Sequence, residues 1–219
     1  MIILFSLADA KYFRYIKALV RSSREYFPDS IFHIFLVNVD KECIMQLTGI
    51  NNCMISTEKR NFSNELEKKC YCASRRGFLF TKLRRRYPNA HLVWIDSDSV
   101  FIKNAESFKK HILSCDVSMR PKNLILGKFA SGVIISGPNS IDFFNEYYNK
   151  INKRINLNDW TSDQKMLNLN YRQFKDKINF KSLPKIFCDV WYSNEGVLWV
   201  AKGKCRNNSR YQMEIKKWI

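Results

Sequence analysis

No stretch of this 219-residue chain approaches the roughly 18 to 20 consecutive apolar residues of a membrane-spanning helix, so a helical span is excluded. Histidine is scarce, with three in the chain, and the seven cysteines are scattered without a CxxC pair. Zinc sites and disulfide frameworks need such residues at set spacings, so neither is indicated. Cys70 and Cys72 stand too close for an ordinary bridge, and an odd set of unorganised thiols suits a reducing, cytoplasmic home. The amino terminus, MIILFSLADA, lacks the basic flank of a signal peptide and runs directly into a patterned helix, so it reads as a first strand. Internal repeats, low-complexity segments and a long basic tail are also missing. Acid is in short supply: 20 Asp and Glu stand against 37 Lys and Arg, a formal charge of +17. Such a field attracts nucleic acid, an anionic membrane face or phosphorylated small molecules alike. The basic residues gather at Arg75-Arg76, Lys82 to Arg86, Lys109-Lys110, Lys202 to Arg206 and Lys216-Lys217. Most of these read as solvated faces, with a minority placed to hold phosphate.

What the chain does have is enough apolar residue, 46%, for one sizeable core, and a single domain over 1–219 is expected. Strands and helices alternate along it. Ile2 to Leu7 predicts a buried strand, and Lys11 to Tyr26 a helix with Tyr12, Tyr15, Ile16, Leu19 and Val20 at helical spacing, ended by Pro28. Ile31 to Val39 predicts a second strand and Asn52 to Ser56 a short third. A long helix then runs to Arg86, capped by Ser63 or Asn64, with Glu65 and Glu67 in its first turn and Arg84 to Arg86 in its last. Gly77 weakens its middle, which predicts a break or the close approach of a ligand there. Pro88 stops it and His91 to Ile95 begins a central strand. Beyond lie a helix over Ala105 to Leu113, strands over Cys115 to Met119 and Gly132 to Ser136, and helices over Ser140 to Ile151 and Ser162 to Leu169. Repeated βα units predict an α/β fold, a mostly parallel sheet flanked by helices on both faces.

The organising stretch is LVWIDSDSVFI at 92 to 102, where Asp96 and Asp98 interrupt an apolar run. An unpaired carboxylate buried in such a run is costly, so two of them at its end call for a cation or a solvent-filled cleft. At alternate positions of an extended segment they share a face and can reach one divalent ion. The carboxyl end of a buried strand is also where open α/β sheets place their ligands. The competing reading makes Asp96 a turn cap and Asp98 a solvated acid.

In order along the chain, FSLADAKY at 5 to 12, SRRGFL at 74 to 79, WIDSDSV at 94 to 100, FASGVIIS at 129 to 136, SDQKMLN at 162 to 168 and AKGKCRN at 201 to 207 resemble the landmarks of a glycosyltransferase. The family resembled is the nucleotide-sugar-dependent enzymes of GT-A fold, most closely the family 8 galactosyl- and glucosyltransferases. The resemblance implies transfer of a hexosyl group from a UDP-sugar to a glycan or lipid-linked hydroxyl, with manganese or magnesium as cofactor. Asp98 is then the direct metal ligand and Asp96 serves the metal and the donor ribose. Ala8 and Asp9 match the segment that reads the base, with Tyr12 stacked near it. Arg76 matches the arginine that touches the donor phosphate and sugar. Asp163 and Gln164 match the pair lining the donor sugar and the reaction centre, and Lys202, Lys204 and Arg206 close over the diphosphate. By residue type alone, Asp9 is equally a helix N-cap and Asp163-Gln164 an ordinary capping pair.

Two positions depart from the pattern. The family supplies a third metal ligand, a histidine, where this chain has Val200, and no histidine follows His111; Asp189, Asn194 or water is then left to complete the site. The family often carries asparagine at the place of Ala130. Two rival readings remain. Asp96-Ser-Asp98-Ser-Val100 also resembles the signature of haloacid-dehalogenase-type phosphatases, with Asp96 as nucleophile, although that fold begins with this strand. A basic nucleic-acid-binding protein is the other, against which the aromatics stand at core spacing rather than among Lys and Arg. No nucleic-acid partner is therefore expected, while an anionic membrane surface is compatible with peripheral attachment.

Overall fold

In a computed structural model that describes residues 1–154, 159 and 161–219, strands and helices follow in the order expected. Strand β1 (Ile2–Asp9) leads through a 3-10 turn at Ala10–Tyr12 into α1 (Phe13–Tyr26), then β2 (Ile31–Val37), a short α2 (Lys41–Met45) and β3 (Cys53–Glu58). Next come α3 (Glu65–Arg86), β4 (His91–Ile95), β5 (Ser99–Phe101), α4 (Glu106–Ile112), β6 (Val117–Asn123) and β7 (Lys128–Ser136). The chain continues as α5 (Ile141–Arg154), α6 (Ser162–Phe174), β8 (Phe180–Ser182), β9 (Leu198–Val200) and α7 (Ser209–Lys216).

Seven strands form one sheet in the order β3-β2-β1-β4-β7-β6-β8, and β5 pairs with β9 in a small second sheet. Strands β1 to β4 run parallel, as buried apolar runs joined by helices must. β7 runs antiparallel to both its neighbours. Alternate residues of β1 serve opposite faces. Ile2, Leu4 and Ala8 join Ile16, Leu19 and Val20 of α1 and Phe108 of α4. Ile3, Phe5 and Leu7 join Leu79 and Phe80 of α3, Phe144 and Tyr147 of α5, and Leu167 of α6. Two apolar layers thus sandwich the sheet, and the strand period of two assigns each side chain its layer.

Helix α3 supplies most of what positions the site. Asn64 caps it, its side chain accepting from Glu67 N at 2.9 Å, while Glu67 reaches back to Ser63 N at 2.7 Å. Gly77 does not break it. A Cβ there would lie 2.9 Å from Ile151 Cδ1, so the glycine lets α5 pack close against α3. Arg84, expected in the solvated last turn, is buried instead. It donates to the carbonyls of Ala90 (2.6 Å), Ser136 (3.0 Å) and Gly137 (2.8 Å), pinning the helix to the sheet.

The strand read over Cys115 to Met119 spans Val117 to Asn123, and the one read over Gly132 to Ser136 begins at Lys128. Pro121 hid the first extension. It lies where the β6–β7 register shifts and where β8, which pairs only with residues 117 to 119, no longer needs a donor.

Buried His33 on β2 meets the Tyr87 hydroxyl at 3.0 Å. Burial first, then the charges of Arg86 and Lys82, depress its pKa from 6.5 to about 4. On acidification the unfolded chain takes up this proton first, so stability is full above about pH 6.5 and falls as the pH drops toward about 4. His33→Gln removes the titration. Melting curves between these limits should show the wild type losing about 1 to 3 kcal/mol more than the variant; parallel losses would contradict a neutral buried imidazole.

Candidate active site

The sequence places two acids at the end of β4, and the fold surrounds them with cations. Asp96 N donates to Gly132 O on β7 at 2.8 Å, which fixes the start of the turn. Its Oδ1 accepts from Trp94 Nε1 at 2.8 Å and from Arg76 Nη2 at 3.3 Å. The other oxygen, Oδ2, lies 3.3 Å from where a Cβ on Gly132 would stand, so a side chain there would crowd both Val200 and the acid.

Arg76 reaches this point from the middle of α3. Its Nη1 donates to Asp163 Oδ2 in the first turn of α6, and its guanidinium lies 4.7 Å over the Trp94 ring. Both side chains of the pair are only 6% exposed. Burial alone would lower the Arg76 pKa, but the carboxylates of Asp163 and Asp96 outweigh it and hold the group charged. Burial raises the Asp163 pKa against the opposing pull of Arg76. The result is a chain of charge, Asp163 to Arg76 to Asp96, crossing from α6 to β4, buried at its first two members and partly exposed at Asp96.

Asp98 sits deeper than Asp96. Burial, and after it the charge of Asp96, pushes its pKa up to about 7. Its carbonyl accepts from the Tyr211 hydroxyl and from Ala201 N, each at 2.9 Å, so α7 and the residue that follows β9 hold the turn. The nearest cation is Arg206, with Nε 3.6 Å from Asp98 Oδ2. Arg206 also donates to the Tyr12 hydroxyl and lies 4.9 Å over the Tyr12 ring.

The remaining expected residues are distributed as follows. Asp9 caps the turn after β1, accepting from Tyr12 N at 3.1 Å, while its second oxygen pairs with Lys68 at 3.1 Å. Ala8 is buried beside it in β1. Gln164 donates to Phe129 O and accepts from Lys122 Nζ at 3.3 Å. Lys202 comes within 3.6 Å of the Gly132 Cβ position. Its charge, after partial burial, depresses the Lys122 pKa, so the two ammonium groups repel across the cleft. Lys204 is exposed in the 3-10 turn Gly203–Asn207. Arg75, one residue from Arg76, pairs instead with Glu58 at 3.2 Å on the far face, and Lys82 lies over Phe35. Lys122 and Lys68 escaped the sequence reading, the first because it lies beyond Pro121 and the second because nothing in its surroundings marks it.

The suggested substitutes for the missing histidine are committed elsewhere. Asp189 accepts from Trp191 N and from Ser193 N and Oγ at 2.7 to 2.8 Å, and Asn194 accepts from Arg210. Among the described residues no group of three or more His, Cys, Asp or Glu is arranged to hold a metal. Asp96 and Asp98 nonetheless fit a hard cation that keeps part of its water. Both offer oxygen ligands, and the burial and then the repulsion from Asp96 that raise the Asp98 pKa are what a divalent charge would offset.

At the level of sequence, no family model and no curated protein matches the chain. The fold, an α/β arrangement with a mostly parallel sheet flanked by helices, matches that of solved glycosyltransferases of GT-A type. It is similar to the galactosyltransferase LgtC solved with donor and acceptor sugar analogues (TM-score 0.64, 11% identity, 99% of this chain and 96% of that one). A variant of LgtC with a glutamine-to-glutamate exchange in its active site matches at TM-score 0.63 and 11% identity, over 99% and 95% of the two chains. The bifunctional glycosyltransferase WbbM in its apo state matches at TM-score 0.63 and 14% identity over 99% of this chain. This chain spans about half of WbbM, 51%.

Proposed function

We propose that the chain is a single glycosyltransferase domain that moves a hexosyl group from a UDP-sugar to a hydroxyl of a glycan or lipid-linked acceptor. The observation that carries this reading is the ion-pair chain Asp163–Arg76–Asp96, which joins the first turn of α6 to the acid turn after β4. A purely structural ion pair has no need of a second acid, Asp98, held at a raised pKa within reach of the charges of Arg206 and Lys202.

Asp96 and Asp98 would hold manganese or magnesium. When bound, such a cation neutralises the charge that grows on the departing nucleoside diphosphate. The protein's own groups do the rest. Lys122 and Lys202 repel each other, and a diphosphate between them would turn that repulsion into attraction on both sides. Arg206 and Lys204 close from the loop after β9. Arg76, locked by two carboxylates, points a fixed cation at the donor, and Asp163, fixed by Arg76, accepts from sugar hydroxyls. Gln164, tied to Phe129 O and Lys122, places its amide at the reaction centre; LgtC likewise has an active-site glutamine. Asp9 and Ala8 face the base, where a uracil has to compete with Lys68 for Asp9, and Tyr12 lies beside it. The oxygen ligands that Asp189 and Asn194 do not supply come from water and the donor.

The phosphatase alternative, with Asp96 as nucleophile, requires the acid-bearing strand to open the fold, whereas β4 follows three strands and pairs with the antiparallel β7. Incubating the protein with manganese and a panel of nucleotide sugars separates the two. Slow, metal-dependent release of UDP from one or a few donors is expected; release of phosphate from a phosphomonoester with no donor turnover would overturn the reading.

A further inference from the structure

The turn between β6 and β7 carries Leu124, Ile125 and Leu126, exposed by 52%, 97% and 48%. Three adjacent large aliphatics in water at a loop tip are a cost that a protein bears where a partner covers them. The tip is built, not slack. Asn123 Oδ1 accepts from Leu126 N at 2.9 Å, Gly127 N donates to Leu124 O at 3.0 Å, and Arg172 of α6 donates to Leu126 O at 2.7 Å. Gly127 takes the left-handed conformation, φ +56°, with Tyr171 where a Cβ would crowd it.

Charge identifies the covering surface. Lys122 and Lys128 flank the tip and Arg172 backs it, and no acidic residue occurs between Asp116 and Asp142. An apolar point ringed by cations matches an anionic bilayer, whose headgroups attract the ring while its hydrocarbon accepts the point. We propose that the Leu124–Leu126 tip inserts into an anionic lipid surface and docks the chain there. Both stems of this hairpin are tied to α6, through Lys122 to Gln164 and through Asn168 to Phe129 N. Ile125 is three residues from Lys122, across the turn, so the two lie at most about 10 Å apart. Docking therefore sets Gln164 close to the headgroup layer. On the glycosyltransferase reading, which the docking itself does not need, that geometry selects a lipid-linked acceptor.

Flotation with vesicles of phosphatidylglycerol mixed with phosphatidylcholine tests the proposal, with pure phosphatidylcholine as the neutral control. Wild-type protein is expected to float with the anionic vesicles at low salt. The triple variant Leu124→Ser, Ile125→Ser, Leu126→Ser should partition more than about tenfold more weakly, and Lys128→Glu several-fold more weakly. Matching melting temperatures establish that both variants fold, since every altered side chain is exposed. A triple variant that floats like the wild type would show attraction by charge alone and overturn the insertion, as would a wild type that ignores anionic vesicles. A concentration-dependent dimer lost in the triple variant, without flotation, would assign the tip to a second copy instead. None of these readouts depends on donor turnover, so failure here leaves the enzymatic reading to its own test.

Discussion

Replacing Arg76 with alanine is expected to destabilise the protein by about 3 to 5 kcal/mol, the usual cost of removing one partner from a buried ion pair. Arg76 stands between Asp163 and Asp96, and the pair with Asp163 is 6% exposed on both sides. Without the guanidinium, a buried carboxylate has neither water nor a cation, and it folds in only by taking up a proton. The penalty should therefore shrink as the pH falls and the carboxylates protonate. It should also shrink when Asp163→Asn is added to Arg76→Ala, because the orphaned charge is then gone. For a chain of this size the single variant should melt about 6 to 15 °C below the wild type near pH 8. A drop of under about 2 °C would mean that solvent reaches the pair.

Asp98→Asn should act in the opposite direction on stability while ending activity. Its pKa in the fold, about 7, lies above the reference 3.8, so the folded chain holds this proton more tightly than the unfolded one. The cost of the charge is absent below about pH 3.8, grows as the pH rises toward about 7, and is full above it. Asparagine removes the charge and keeps the shape. The metal-free variant should thus be about 1 to 3 kcal/mol more stable than wild type at pH 8, after discounting the half-exposed partner Arg206. The gain should fade toward pH 4. Metal-dependent donor turnover should fall by about a hundredfold or more, since a cation's charge stabilisation is worth several kcal/mol and each 1.36 kcal/mol is a factor of ten. A variant that is both less stable and fully active would reverse the assignment of Asp98.

The parts of this molecule legible in its sequence are those set by neighbours in the chain. The apolar run ending in Asp96 and Asp98 marks β4 and its turn, and Asn64 with Glu67 marks the start of α3. What the sequence leaves open are the partners, because those depend on which helix face meets which strand. Arg75 and Arg76 are adjacent and alike in type. One pairs with Glu58 on an outer face and the other with Asp163, 87 residues away, because successive helical residues point about 100° apart. The direction of β7 is similarly hidden, since a buried apolar run reads the same in a parallel or an antiparallel setting. Gly77 shows the limit from another side. A mid-helix glycine reads as a break or a ligand's approach, and only the packed structure shows that the neighbour is Ile151 of α5. Among the candidate site residues, the resemblance supplied Asp163 and Gln164, whose residue types alone predict nothing beyond a helix cap. Lys122 lay past a proline that conceals the strand carrying it.

The account stands or falls on whether Asp96 and Asp98 hold a metal that binds a nucleoside diphosphate. The most direct measurement is the melting temperature of wild type and Asp98→Asn with UDP, with manganese, and with both. At about a hundredfold over the dissociation constant, a ligand of the folded state adds about 2.7 kcal/mol, or about 5 to 10 °C here. The wild type should rise by that order with UDP and manganese together and far less with either alone, and the variant should lose the joint effect while starting from a higher baseline. An equal rise with UDP in the absence of metal, or the same joint rise in Asp98→Asn, would contradict the metal clamp.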